Sequence, residues 1–553
     1  MAVCSAEGAG LGDQSLTALP AQTLPSTDNL PSTDNTNLAV PVREVRLPPG
    51  QRDLTGVPLE DVRAGKWNFS ARASSALTLT DNVNLAPAGQ EKADLVLGIS
   101  VPLGVRRAGP RVKFLAEYVP TVYLYARNGQ SDNLQNNLRS FLSVEAVDDF
   151  FFIDAIANSY LTYISPFQPR PQSGASITDN RTQQATLGLS PYIRHKTSNG
   201  WTYQARSDNF WNTYSGSDLA DSVASRFFAE VDSPTRSRVS YGLDYTYLYT
   251  RDAAQPSAFY QQVARLRPIL RATRKLNASA RLGYESNDYA LTPYAAAVYG
   301  AGIDWTPTPR TRLDGFLEHR FFGPSYGLNF NNRTRRTVWR LSGTRNTTTT
   351  IEQPLTQRPG TTAELLNDAY RSRISDPEQR EQAVRQFLQG AGLPPSLTQP
   401  YSFHTNQVYV SEQWTGSVVL LGRRNTVEFT AFWQQNDPVA TGSAAPPGVT
   451  PFTPFRQQGF TLNFSHRLSG FSSVTLSANR LYTQTVDSSA LAATSQAKSI
   501  QDTVRIGLTH QLGQKTDGSI GLRWVNFDSS GSASLVGPPY QELAVLASLA
   551  HSF

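Results

Sequence analysis

Leu543-Ala-Val-Leu-Ala-Ser-Leu-Ala-His-Ser-Phe553 alternates without a break. Leu543, Val545, Ala547, Leu549, His551 and Phe553 fall on one face, and Ala544, Leu546, Ser548, Ala550 and Ser552 on the other. A period of two is the repeat of a β-strand. Run out to an aromatic residue at the end of the chain, it suits the strand that closes a bacterial outer-membrane barrel, with Phe553 as the C-terminal insertion signal.

Working back from that strand, the same alternation recurs. Outward sets include Val504/Ile506/Leu508/His510/Leu512, Val427/Phe429/Ala431/Trp433 and Val239/Tyr241/Leu243/Tyr245/Tyr247/Tyr249. Nearer the start lie Val112/Phe114/Ala116/Tyr118 and Leu95/Leu97/Ile99/Val101/Leu103. The links between strands alternate in length. Tight turns near 106–111, 146–150, 198–201, 232–238, 272–276, 306–311, 333–337, 422–426, 468–472 and 513–518 are interleaved with mostly longer polar links. Short turns on one rim and long loops on the other are the outer-membrane pattern. The parity gives an all-β, transmembrane antiparallel barrel of about 22 strands (range about 18–24) with a periplasmic N-terminus and extracellular long loops. A soluble propeller would repeat as similar blades and would not sort its loops by parity.

Composition agrees. The 553 residues include 26 Phe, 23 Tyr, 8 Trp and 38 Gly. Mean hydropathy is −0.37, and no run approaches the roughly 18 apolar residues of a membrane helix. That mixture fits strands that face lipid on one side and water on the other. The single Cys, Cys4, excludes a disulfide framework and a cysteine metal site. The net charge of +6 is spread through the strands as Arg, so no basic block marks a nucleic-acid partner.

Two regions depart from the strand pattern. Residues 1–64 are polar and Pro-rich and carry the duplication Leu24-Pro-Ser-Thr-Asp-Asn29/Leu30-Pro-Ser-Thr-Asp-Asn35. Such a segment cannot bury enough apolar surface to fold alone and reads as a disordered periplasmic leader, with Cys4-Ser5-Ala6 as the tail of a signal peptide starting upstream. The barrel then occupies 65–553, with a helical insertion in the long loop 346–405. Two helices are expected there, Thr361–Ile374 and Pro377–Gln389, the second opened by Asp376-Pro377 and ended by Gly390. Ala383, Val384, Phe387 and Leu388 share its apolar face, which fits either an extracellular cap or a lid folded into the lumen.

With strands ~4.8 Å apart and tilted near 40°, 22 of them close at roughly 40–45 Å, too wide for side chains to fill. The faces opposite the apolar sets carry Arg206, Arg226, Arg265, Arg267, Arg281, Arg320, Arg340, Arg467, Arg505 and Arg523 together with Asp314 and Glu318. These read as lumen-lining. They can form a structural ladder of ion pairs, or a conduit whose Arg side chains weakly hold carboxylates and hydroxyls of a passing polymer.

Three of the six His share a phrase, in Phe464-Ser-His-Arg-Leu468, Leu508-Thr-His-Gln-Leu512 and Leu549-Ala-His-Ser-Phe553. An intervening strand separates each neighbouring pair by roughly 9–10 Å, too far to share a metal. They read as an amphipathic girdle at the lipid interface. No Ser is expected in register beside one of them with an orienting Asn or Asp. No phosphate loop, zinc motif or haem-attachment motif is present, so the chain reads as a non-enzyme without cofactor or metal.

The first hairpin, Ser75-Ala-Leu-Thr-Leu-Thr-Asp-Asn-Val-Asn-Leu-Ala-Pro87 with Lys92-Ala-Asp-Leu-Val-Leu-Gly-Ile-Ser-Val-Pro102, carries a resemblance. So do Arg320-Phe-Phe-Gly-Pro-Ser-Tyr326, Arg333-Thr-Arg-Arg-Thr-Val-Trp339 and the insertion after Thr347–Thr350. From about residue 66 the chain resembles the PEP-CTERM-system-associated outer-membrane proteins, found with exosortase and exopolysaccharide gene clusters. The resemblance implies a Gram-negative outer-membrane location and a role in exopolysaccharide export or assembly. Its implied partners are outer-membrane lipids, the barrel-assembly machinery, polysaccharide and periplasmic export components. Two other readings stand beside that conduit: a surface scaffold or docking barrel with a loop-closed lumen, and a general solute porin.

Overall fold

The computed structural model is a closed antiparallel barrel. It describes residues 66–215, 219–234, 238–253, 258–288, 294–349, 365–367, 370, 380, 384, 408–439, 454–486, 496–513, 515–531 and 536–553. The expected 1–64 leader lies outside the described residues, as does most of the 346–405 insertion.

The first segments are β1 (Trp67–Thr80), β2 (Asp94–Ser100), β3 (Leu103–Ala108), β4 (Val112–Tyr125), β5 (Asn133–Val147) and β6 (Phe151–Tyr163). Next come β7 (Arg181–Lys196), β8 (Thr202–Ser215), β9 (Ser222–Asp232), β10 (Val239–Asp252), β11 (Phe259–Thr273) and β12 (Leu276–Asn287). They are followed by β13 (Tyr294–Thr308), β14 (Thr311–Arg320), β15 (Gly323–Arg333), β16 (Thr337–Thr348), β17 (Tyr409–Leu421) and β18 (Asn425–Pro438). The last are β19 (Phe455–Arg467), β20 (Ser472–Thr485), β21 (Ala497–Gln511), β22 (Thr516–Gly531) and β23 (Tyr540–Ser552).

β2 and β3 are two halves of one span, since each pairs with β1 on one side and β4 on the other. The break falls at Val101-Pro102, where Pro102 has no N–H to give the ladder. The described segments therefore make 22 spans, each paired with its neighbours in sequence. β23 closes the wall against β1, from Arg72↔Ser552 to Thr80↔Ala544.

Links alternate as the sequence implies. On one rim, here the short-turn rim, tight turns such as Gly422–Arg424 connect the spans, with Gly422 N–H donating to the Asn425 carbonyl at 2.8 Å. The opposite, long-loop rim has one tight turn of its own. β14 and β15 are joined by Phe321-Phe322 alone, and Gly323 follows at φ +93°, a conformation that favours a residue without Cβ.

The wall is apolar outside and polar inside. Leu77, Leu243, Leu282, Leu317, Ile506, Leu522 and Leu543 are exposed, while Asp244, Arg267, Glu285, Glu318, Arg320 and Arg523 are buried. This inverts the distribution of a soluble domain and is what strands need when lipid is the outer solvent and every backbone group must be paired within the wall.

The register is steadily sheared. One cross-strand row runs Tyr326–Arg345–Glu412–Gln435–Arg456–Gln484–Lys498–Ser530. It starts partway along β15 and ends beside the long-loop terminus of β22, as strands tilted to the barrel axis require.

Candidate functional site: the lumen and its inserted segments

The inward faces divide the wall into two chemically different halves. From β6 to β14 they carry charge. Arg206 binds Asp154 at 2.7 Å and also pairs with Asp208, which Arg226 engages at 2.6 Å. Arg267 reaches Glu230 at 2.6 Å and Asp244 at 2.7 Å, and Arg265 bridges Asp244 and Glu318, each at 3.2 Å. Arg281 binds Glu318 at 2.7 Å, and Arg320 binds Glu285 at 2.6 Å while donating to Asn346. The Arg281 guanidinium also stands 4.0 Å from the Phe316 ring centroid. The pairs lie within one strand or join strands up to three apart, so ion pairs lace this half of the inner face. With both partners buried, each Arg satisfies a carboxylate that would otherwise be stranded.

From β17 to β22 the inward face is mostly hydroxyl and amide. Ser417, Thr430, Gln434, Gln457, Thr483 and Gln501 are buried there, and hydrogen bonds such as Thr430 Oγ1 to Ser417 Oγ at 3.1 Å join them across strands. The main charged groups on this side are Glu428, Arg505 and the Arg523–Glu542 pair at 2.7 Å.

The predicted lumen-lining residues fall as follows. Arg206, Arg226, Arg265, Arg267, Arg281, Arg320, Arg523 and Glu318 are buried in the networks above. Arg505 and Arg340 are half-buried, and Asp314 pairs with Arg312 at 3.1 Å. Arg467 is exposed at the short-turn rim.

Among the described residues several links enter the lumen, the 81–93 link included, where Leu85 packs on Val525 and Phe527. Two others matter most here, and pattern reading gives little warning of the first. The link 164–180 leaves β6 at the long-loop rim and crosses to the far side. Phe167 packs in one buried cluster with Tyr409, Phe455, Ala497 and Val536, its ring edge-on to Phe455 at 6.0 Å. The Gln501 amide donates to the Arg170 carbonyl at 2.9 Å, and Arg505 and Arg523 donate to the Gln172 carbonyl at 2.8 and 3.3 Å. On the near side, Tyr125 and Gln135 donate to the carbonyls of Ala175 and Gly174 at 2.7 and 2.8 Å. A Cβ at Gly174 would lie 2.2 Å from the Tyr123 hydroxyl, so close approach demands glycine there.

The second is the insertion between β16 and β17. Leu365, Leu366, Asn367, Tyr370, Arg380 and Val384 are helical, in keeping with the two predicted helices. Leu365, Leu366 and Val384 share a buried cluster with Val338, Val419 and Leu421, against which Tyr370 packs. Val338 and Val419 are cross-strand partners beside the short turns, whereas the insertion leaves β16 and re-enters β17 at the opposite rim. At ~3.3 Å per residue the insertion descends about 30 Å along the wall. Arg380 Nε donates to Asn367 Oδ1 at 2.8 Å, linking the two helical pieces. Of the predicted lid face, Val384 lies in this cluster; Ala383, Phe387 and Leu388 lie outside the described residues. These described residues of the insertion therefore pack against the inner wall.

At the rim, Ser472 is the cross-strand partner of His510, with Oγ 2.7 Å from Nδ1. The neighbour of His510 on its other side is Gly518, which offers no orienting group. His551 meets Thr516 at 2.9 Å and His466 meets Asn425, so the three form one repeated His–polar pairing along the short-turn rim. Among the described residues no group of His, Cys, Asp and Glu is placed to hold a metal ion.

No protein-family model and no curated protein matches the chain. Among solved structures it is similar to the siderophore receptor PirA from Acinetobacter baumannii, at 8% identity over 89% of this chain and 81% of that one, with a TM-score of 0.46. A mutant of the ferric enterobactin receptor PfeA from Pseudomonas aeruginosa, solved with enterobactin, gives 9% identity, 89% and 82% coverage and a TM-score of 0.45. OpdO from Pseudomonas aeruginosa gives 10% identity, 88% and 98% coverage and a TM-score of 0.32. The closed 22-span wall, apolar outside and polar within, is that of an outer-membrane β-barrel.

Proposed function

We propose that this protein is a gated outer-membrane conduit, closed at rest by its own insertion, that passes a hydroxyl-rich polymer out of the periplasm. The short-turn rim is periplasmic and the long-loop rim extracellular. One observation carries the reading: Leu365, Leu366 and Val384 pack on Val338, Val419 and Leu421 at the far end of the lumen from where their segment enters. Burial of each such aliphatic side chain is worth about 1.5–3 kcal/mol, enough to hold the insertion in place and little enough for a partner to displace it.

The hydroxyl- and amide-lined half of the wall supports the cargo class. Neutral donors and acceptors exchange readily with sugar hydroxyls and hold no single charge. The resemblance to exopolysaccharide-associated outer-membrane proteins points the same way. A docking barrel with a permanently closed lumen is the second reading, favoured by the hydrogen bonds that tie 164–180 across the barrel.

Planar-bilayer conductance separates the two. The conduit reading expects low conductance from the full chain and a large, steady one after deletion of 351–404. Silence from both forms sinks the conduit and leaves the docking barrel.

A further inference from the structure

The outward wall departs from its apolar rule on β19, β20 and β21 toward the long-loop rim. Arg456 and Lys498 are both register partners of Gln484, one on each side, so they stand two strand spacings apart, roughly 9–10 Å. Arg480 faces the same way on the strand between them, four residues nearer the short turns, and its side chain is 53% exposed.

Each cation is held with its head outward. Arg456 donates to Gln435 Oε1 at 2.9 Å and lies 5.7 Å from the Trp433 ring centroid. Lys498 Nζ lies 5.3 Å from the ring centroid of Tyr482, whose hydroxyl bonds Gln484. Arg480 meets Asp502 through two contacts, at 2.9 and 3.1 Å. Ion pairing therefore neutralises the lower cation and, among the described residues, neither of the upper two. Below them the wall turns aromatic, with Phe460 the register partner of Arg480 and exposed.

An Arg or Lys on the lipid face is costly at the bilayer midplane and costs little at the interface. The upper two cations sit beside the ends of their strands, at headgroup level, and the paired one lies deeper. A free anion would be drawn to one cluster of cations. Two cations set apart that form no ion pair among the described residues, over rings that can carry acyl chains, fit two phosphates on one amphiphile.

We propose that this face binds the phosphorylated sugar headgroup of an outer-leaflet glycolipid, Arg456 and Lys498 each engaging a phosphate, with Trp433 and Phe460 bearing its acyl chains. The proposal rests on the orientation given under Proposed function.

The test uses the full chain in detergent micelles, titrated with bisphosphoryl lipid A and followed by native mass spectrometry. Dephosphorylated lipid A and phosphatidylglycerol are the comparison probes. Bisphosphoryl lipid A is expected to bind at least about tenfold more tightly than either, a preference that R456Q/K498Q loses and R274Q/K275Q, at the opposite rim, keeps. Equal binding of the three lipids, an undiminished preference in R456Q/K498Q, or an equal loss in R274Q/K275Q overturns it. Orientation is read separately, by labelling A88C in a C4S background with an impermeant maleimide on intact cells. Labelling only after permeabilisation overturns the orientation, and the outer-leaflet source with it. Labelling on intact cells together with phosphate-independent binding overturns this proposal alone.

Discussion

The Arg505 guanidinium donates to the Gln172 carbonyl at 2.8 Å, tying a segment hung between β6 and β7 to a strand on another sector of the wall. Gln501 and Arg523 hold the same segment, so the crossing is fastened at several points.

Gly174 is where that crossing is most sensitive. Replacing it with Val puts a side chain against the Tyr123 hydroxyl, and overpacking of this kind costs about 1–3 kcal/mol. The G174V barrel should still fold, while amides of 164–180 lose hydrogen-exchange protection. Unchanged protection there would mean that the segment is not seated by Gly174.

Breaking the ion ladder should cost more than removing it. In R320A the Glu285 carboxylate stays buried without its 2.6 Å partner, a loss of about 3–5 kcal/mol. The double variant E285Q/R320M removes both charges and should recover most of that in urea unfolding from micelles. A double variant no more stable than R320A would show that the pair is not the unit of stability.

The plug should respond to a charge in its apolar cluster. Leu366 is fully buried, and L366D forces the insertion either to bury a carboxylate or to leave the wall. Bilayer conductance should rise toward that of the 351–404 deletion, with the heat-modifiable mobility of the barrel unchanged. Conductance at the level of the unaltered chain would place the obstruction elsewhere in the lumen.

Ser472 and His510 meet at hydrogen-bond distance without an orienting third group, and an unoriented pair makes a poor nucleophile. Fatty-acid release from phosphatidylethanolamine vesicles should be the same for the unaltered chain and S472A. Release that depends on Ser472 would reveal a lipase where a girdle is described.

The wall was legible because its physics is local. Alternation shows which face of each strand meets lipid, and turn chemistry shows where a strand ends, so Leu543–Phe553 could be read as a wall strand with no partner in view. Parity likewise put Arg267 and Glu318 on the inner face. What it could not supply was register, and register decides that Arg265 bridges Asp244 to Glu318 and that Ser472 faces His510. The least legible part was the lumen's contents. Ser165-Pro-Phe-Gln-Pro-Arg-Pro-Gln172 reads as a polar surface link, because nothing periodic marks a segment whose partners come from distant strands. Phe167 and Gly174, an aromatic and a glycine in an otherwise polar loop, were the faint signals available. The break at Val101-Pro102 is marked in the sequence by Pro102 alone, because alternation continues through it.

Each span pairs only with its sequence neighbours until β23 meets β1. Gln172, however, is held by Arg505 on β21 and Arg523 on β22. That latch joins strands that the ladder never pairs with β6 or β7. The crossing segment is consequently a chord of the circle, bracing sectors of the wall that the hydrogen-bonded ladder links only the long way round.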